Sequence, residues 1–206
     1  MDWLTVLAKP TDQIIRERLV GTDEGAGVLW STTPQVIREL SALGAIAYEG
    51  HADRPAGPYH EWVGFNLLCS AAPTSFKLVG EEFLSVDSFY EALKLPEGSA
   101  ERHACALAPV QEAKRLTRGL RSSMFWFQGQ RVSVGSAEHE AVLAAAVSAK
   151  VTQNPSVQVV LRDTGTAKLL FPLTFSPHPG PLARVTPLAL MIERWRLLHG
   201  RNDEAP

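Results

Sequence analysis

Apolar residues recur at helical spacing along much of this chain, and most of the stretches are bracketed by residues that start and stop helices. Over residues 12–20, Ile14, Ile15 and Leu19 share a side with Arg18. Val86, Phe89, Tyr90 and Leu93 fall at i, i+3, i+4 and i+7, with Ser85 in front as an N-cap. Residues 136–151 have an Ala-rich middle, Glu138 and Glu140 near the start and Lys150 near the end, the charge order that the helix macrodipole favours. Four more helices are predicted over 34–44, 109–119, 155–165 and 187–200, each opening on Pro and closing on Gly. Thr33, Asn154 and Thr186 precede three of those prolines and can cap, whereas Ala108 cannot.

Strands are fewer. Residues 76–83 alternate about Gly80 and read as a hairpin, and 45–48 and 168–171 are shorter candidates. Residues 157–161 are rich in Val but sit between helix start and stop signals, so helix is expected there. Residues 50–59 hold Pro55, Gly57 and Pro58, and 175–187 hold Pro177, Pro179, Gly180, Pro181 and Pro187, which points to two irregular loops. The expected fold is α+β, a predominantly helical single domain over 45–199 with a small antiparallel sheet. A helical extension over 1–44 precedes it, and a frayed tail over 200–206 follows.

Composition narrows the class. The chain of 206 residues suffices for one domain with a substantial core. A net charge of -2 supplies no basic field for sequence-independent nucleic-acid binding. Cys69 and Cys105 are too few for a disulfide framework and lack partners at metal-ligand spacing. The six histidines are scattered, so no metal is expected. No run of about 18 apolar residues and no signal-peptide pattern occur, and the expectation is a cytoplasmic protein without membrane contact. Residues 21–27 hold three glycines, but Asp23 and Glu24 inside them would repel a phosphate.

Candidate chemistry concentrates on the helix after Ser85. Asp87, Glu91 and Lys94 repeat at helical spacing on a face other than the apolar one, placing two carboxylates and an ammonium in line. The same residues also suit an ordinary solvated face, with Asp87 favoured by the dipole and Glu91 pairing Lys94.

Four segments, in order, resemble the NADAR family of N-glycosidases, which act on riboflavin-pathway intermediates or remove ADP-ribose from guanine. They are Gly64-Phe65-Asn66-Leu67 with the hairpin after it; Ser85-Val86-Asp87-Ser88-Phe89-Tyr90-Glu91-Ala92-Leu93-Lys94, where the family usually has Ser-Val-Glu-His-Tyr-x-Gln-Ala-x-Lys; Ala113-Lys114-Arg115-Leu116-Thr117-Arg118; and Ala149-Lys150-Val151-Thr152-Gln153-Asn154-Pro155 with Thr164-Gly165. The resemblance covers residue 46 to about residue 198. Asp87 stands where relatives carry Glu, which draws the carboxylate back by on the order of 1.5 Å. A shift of that size can cost about a hundredfold in rate. Ser88 replaces a His, and the Pro-rich 174–181 stretch replaces a family acidic residue and Trp-Gly.

The resemblance implies a metal-free and cofactor-free hydrolysis of an N-glycosidic bond in a ribose-phosphate or ADP-ribosyl adduct. Asp87 is then the essential carboxylate, assisted by Glu91. Lys94, Arg118 and Lys150 are the matching basic positions for phosphate, Asn66 orients a sugar hydroxyl or base edge, and Trp126 stacks on the base. Partners under this reading are a nucleotide or an ADP-ribosylated nucleobase, free or in nucleic acid, with a docking role for residues 1–44. The alternative is a catalytically impaired binding or interaction module, and the arbiter is whether His178 reaches Asp87 or Phe175 fills the pocket.

Overall fold

The computed structural model describes residues 46–47, 65–120, 123–165, 169–170 and 180–199. The expected helices over 12–20 and 34–44, the 50–59 loop, His178, Phe175 and the 200–206 tail lie outside the described residues. Described in chain order are β1 (Ile46–Ala47), a 3-10 turn (Phe65–Leu68), β2 (Phe76–Leu78), β3 (Glu81–Phe83), α1 (Val86–Ala92), α2 (Ala100–Ala106) and α3 (Val110–Leu116). After them come β4 (Met124–Phe127), β5 (Gln130–Ser133), α4 (Ala137–Gln153), α5 (Pro155–Asp163), β6 (Leu169–Leu170) and α6 (Pro181–His199). The class is α+β with helices dominant, as the sequence pattern predicts.

Local chemistry explains most boundaries. Ser85, Ser99 and Ser136 are extended residues whose hydroxyls accept from the N–H three positions on, at 3.0, 3.1 and 3.2 Å. Each satisfies a donor that the first helical turn leaves without a partner. Asn154 precedes Pro155 but does not cap with its side chain. Its amide instead donates to the carbonyls of Ser75 and Lys150 at 3.0 and 2.8 Å. Gln153 beside it brackets Lys77, accepting from its N–H and donating to its C=O, both at 2.8 Å. The end of α4 therefore occupies the edge of β2 that β3 leaves unpaired.

The expected antiparallel pairing is present, divided between two hairpins, β2–β3 and β4–β5, and β1 pairs with β6 in parallel. Runs as short as 45–48 and 168–171 carry no information on strand direction; the fold between them decides it. The β4–β5 hairpin and α2 are elements that the sequence pattern did not predict. Residues 175–187 are also not one loop, because α6 begins at Pro181 and carries Pro187 inside it. Pro181 takes the start position, and the helix tolerates the bond lost at Pro187 because Val185, Leu188, Ala189, Leu190 and Ile192 are buried in the core.

The core forms around α4, whose small residues Ala141, Ala144 and Ala146 let α6 pack against it. Beside it, Phe76, Phe83 and Phe89 form one aromatic cluster, with Phe83 and Phe89 edge-to-face at 4.9 Å. The apolar stripe of α1 thus packs on the β2–β3 hairpin, and Val86, Phe89 and Leu93 are fully buried.

Both hairpins turn on two residues with positive φ, Val79-Gly80 (53° and 79°) and Gln128-Gly129 (54° and 72°). Such turns match the twist of the strands, but a β-branched residue is strained there. Val79 is 57% exposed, so its side chain loses little by being replaced. Val79→Asn is expected to stabilise the fold by about 1 kcal/mol, read as a raised urea midpoint with unchanged slope.

Candidate functional site

The site is built on α1. Beyond the Ser85 cap, the Asp87 N–H donates to the Ser70 carbonyl at 3.1 Å, so the turn after the 3-10 segment fixes where the helix begins. Ser88 is fully buried; it donates to the Ala108 carbonyl at 2.7 Å and lies 2.8 Å from the Ser85 hydroxyl. Position 88 therefore ties α1 to the entrance of α3 and does not face the polar side of the helix. With Val86, Phe89 and Leu93 turned into the core, the other face carries Asp87 at one end and Glu91 and Lys94 at the other. Their positions along the chain separate Asp87 from Lys94 by about 10 Å at 1.5 Å rise per residue.

At the Asp87 end the central feature is Lys150. It is 1% exposed, and its ammonium donates to the Cys69 carbonyl at 2.5 Å. Burial pushes its pKa down to about 8, while the Cys69 thiol group and the Asp87 carboxylate pull it upward. Burial also pushes the Cys69 thiol up, with the Asp87 charge adding to that and Lys150 opposing it. Cys69 is accordingly a neutral thiol near pH 7. The half-buried Asp87 carboxylate favours the charged form of Lys150 without forming an ion pair with it among the described residues.

At the other end Glu91 is 5% exposed. One of its carboxylate oxygens accepts from Lys94 at 2.6 Å and from the Thr117 hydroxyl by a short hydrogen bond. Lys94 also lies over the Tyr90 ring, 5.0 Å from its centroid. Burial first, and then the charges of Glu91 and Asp87, push the Tyr90 phenol up. The Glu91–Lys94 pair is thus not the solvated surface pair that spacing alone allowed, because its carboxylate is enclosed and shared with α3.

The remaining candidates are more dispersed. Arg118 is exposed just past α3, adjacent to Thr117. Trp126 is 44% exposed on β4, opposite Arg131, whose guanidinium stands 5.5 Å from its ring. Its neighbours Phe125 and Phe127 point to α1 instead, meeting Tyr90 and Phe89 at 5.6 and 6.2 Å. Strand alternation therefore turns Trp126 away from the α1 side. Asn66 lies within the 3-10 turn that leads to Cys69 and Ser70.

Two residues escaped the sequence reading. Thr117 was only a letter in a motif, and its contact with Glu91 spans 26 positions. Arg102, 3% exposed, grips Glu81 through Nε and Nη2 and donates from Nη1 to the Trp126 carbonyl at 3.2 Å, clasping the two hairpins together. A cavity of about 230 Å³ opens beside that clasp, with Phe83, Arg102, Glu97 and Phe127 among its walls and none of the predicted site residues. Among the described residues no group of three or more His, Cys, Asp or Glu converges, and no helix is long and apolar enough to cross a membrane.

The depressed Lys150 pKa has a consequence for stability. Between about pH 8 and the ordinary lysine value of 10.5, the unfolded chain holds a proton at Lys150 that the folded chain has released. Unfolding takes up that proton, so stability rises with pH across the window, by on the order of 3 kcal/mol for this group. The raised pKa values of Cys69, Tyr90 and Cys105 act in the opposite sense above pH 9. In urea unfolding from pH 7 to 10, the wild type minus Lys150→Met difference is therefore expected to climb with pH, and a flat difference contradicts the buried-ammonium picture.

No described protein family matches the sequence, and no curated protein does. Among solved structures, the chain is similar to the NMR structure of the E. coli protein YbiA, at 16% identity over 78% of this chain and 89% of that one, with a TM-score of 0.49. Those figures are too low to add to what this chain's own structure shows.

Proposed function

We propose that the chain is an N-glycosidase of the NADAR type, hydrolysing the bond between ribose and base in a ribose-phosphate or ADP-ribosyl adduct. The observation that carries this reading is the convergence of the four resembling segments on α1. Cys69 and Ser70, just after the first segment, accept from the Lys150 ammonium and the Asp87 N–H respectively. The third reaches α1 through Thr117 and Glu91, and the fourth supplies Lys150 itself. Contacts between residues 17 to 81 positions apart have no local reason to gather around one helix.

In this reading water adds to the anomeric carbon while the carbon–nitrogen bond breaks and the base leaves with the electron pair and a proton. The sugar passes through an oxocarbenium-like state, which a carboxylate stabilises and toward which it can also guide the water. Asp87 is the group for that task, since it lies at the open edge of the site. Glu91 is less suited to proton transfer, its carboxylate being held by two donors. Arg118, exposed and with no side-chain partner among the described residues, is the cation this reading assigns to a phosphate.

A second reading, binding without turnover, draws on the shorter reach of Asp87 and on the occupied state of Lys94 and Lys150. A product assay separates them. Purified protein is offered ADP-ribosylated guanine, as nucleotide and in DNA, and the riboflavin-pathway aminopyrimidine phosphates. The enzyme reading expects release of base that falls at least about a hundredfold in Asp87→Ala and survives in Asp87→Glu. Absence of release from every substrate, or equal release by Asp87→Ala, would overturn it.

A further inference from the structure

We infer that Glu91 is a specificity-determining residue: its carboxylate is an internal counter-ion for Lys94, so this end of the site admits uncharged groups and disfavours phosphate. The inference rests on the proposed function only for the location of the site.

The geometry supporting it is specific. The Glu91 carboxylate lies 2.6 Å from the Lys94 ammonium, is 5% exposed and cannot swing away, because Thr117 Oγ1 donates to the same oxygen. Thr117 is itself buried, and its hydroxyl oxygen also lies 3.1 Å from the Ala113 carbonyl on α3, the single proton being shared between the two acceptors. Lys94 is held on a second side by the Tyr90 ring. The ammonium keeps N–H donors for a ligand, since Glu91 is its hydrogen-bond acceptor among the described residues. What the pair lacks is net charge. A phosphate approaching Lys94 comes equally close to a fixed carboxylate whose burial weakens solvent screening, and the repulsion offsets the attraction. A sugar hydroxyl or a base carbonyl meets only the donors.

The other charged groups nearby do not restore a cationic pocket. Cys105, enclosed between α2 and α3, feels both Glu91 and Lys94, and burial pushes its thiol up to about 11, so it stays neutral. Arg115 is paired with Glu112 at 2.5 Å. Lys114 and Arg118 are exposed. A phosphate carried by the substrate is therefore left to an exposed cation such as Arg118, next to Thr117, and not to Lys94.

The test reads binding, with no turnover. Backbone and lysine side-chain NMR spectra of the full chain are followed while sodium phosphate, ribose 5-phosphate and ribose are added at constant ionic strength. In the wild type, resonances of Lys94, Glu91 and Thr117 are expected not to saturate with phosphate. In Glu91→Gln, which keeps the shape and an acceptor for Thr117, phosphate affinity at Lys94 is expected to rise at least about tenfold, and Lys94→Gln in that background removes the gain. Saturable phosphate binding at Lys94 in the wild type, or no gain in a folded Glu91→Gln, overturns the inference. Should Glu91→Gln fail to fold, the wild-type titration decides alone. A chain that hydrolyses nothing yet shows the gain keeps the inference and loses the enzyme reading; one that cleaves a phosphorylated adduct without the gain does the reverse.

Discussion

A lysine ammonium enclosed in protein must find a partner or give up its proton, and the region around the candidate site depends on how Lys150 meets that demand. Its carrier, α4, packs against α6 and α1, and Lys150 itself is 1% exposed, so it cannot reach water by turning aside. It reaches the Cys69 carbonyl instead. The turn thus held presents the next carbonyl, Ser70, to the Asp87 N–H, and that contact fixes the first turn of α1. One buried charge therefore links the last turn of α4, the turn after the 3-10 segment and the carboxylate at the start of α1. The arrangement is tense, because its burial lowers the lysine pKa to about 8.

The opposite end of α1 solves a similar problem with a different chemistry. Glu91 is also enclosed, but it is satisfied by a neighbouring cation and a hydroxyl, and the pair leaves no uncompensated charge. The helix thus carries a half-buried carboxylate at one end and a neutralised ion pair at the other, about 10 Å away. Under the proposed glycosidase reading, that polarity would suit a ligand whose sugar reacts near Asp87 and whose farther portion is recognised through donors and shape. Stability and function are joined here, since the groups that would meet a ligand also hold α1 to α3 and α4.

Elsewhere polar side chains do the joining that short strands cannot. Gln153 and Asn154 cover the bare edge of β2, and Arg102 clasps one hairpin to the other. The Gln153-Asn154-Pro155 run, read first as part of a family motif, is thereby explained by backbone satisfaction: an amide side chain mimics a strand, and the proline opens the next helix.

The sequence by itself determined what depends on neighbours a few positions apart. Ser85 with its apolar stripe pointed to α1, the Ala-rich middle and charge order of 136–151 to α4, Asn154-Pro155 to Gly165 to α5, and alternation about Gly80 to the first hairpin. It missed the second hairpin, although Gln128-Gly129 between Phe127 and Gln130 is the same kind of signal, and it missed α2, whose buried residues Arg102, Cys105 and Ala106 make no large apolar stripe. At Pro187 local propensity was overruled, because burial of the residues around it outweighs one lost hydrogen bond. The site divides in the same way. Spacing put Asp87, Glu91 and Lys94 on one face. Only the tertiary structure decided that Lys150 is wholly buried, that Trp126 faces outward, and that Glu91 belongs to Thr117 and Lys94. Those outcomes depend on desolvation and on contacts between positions far apart in the chain, and neither is written in any local pattern.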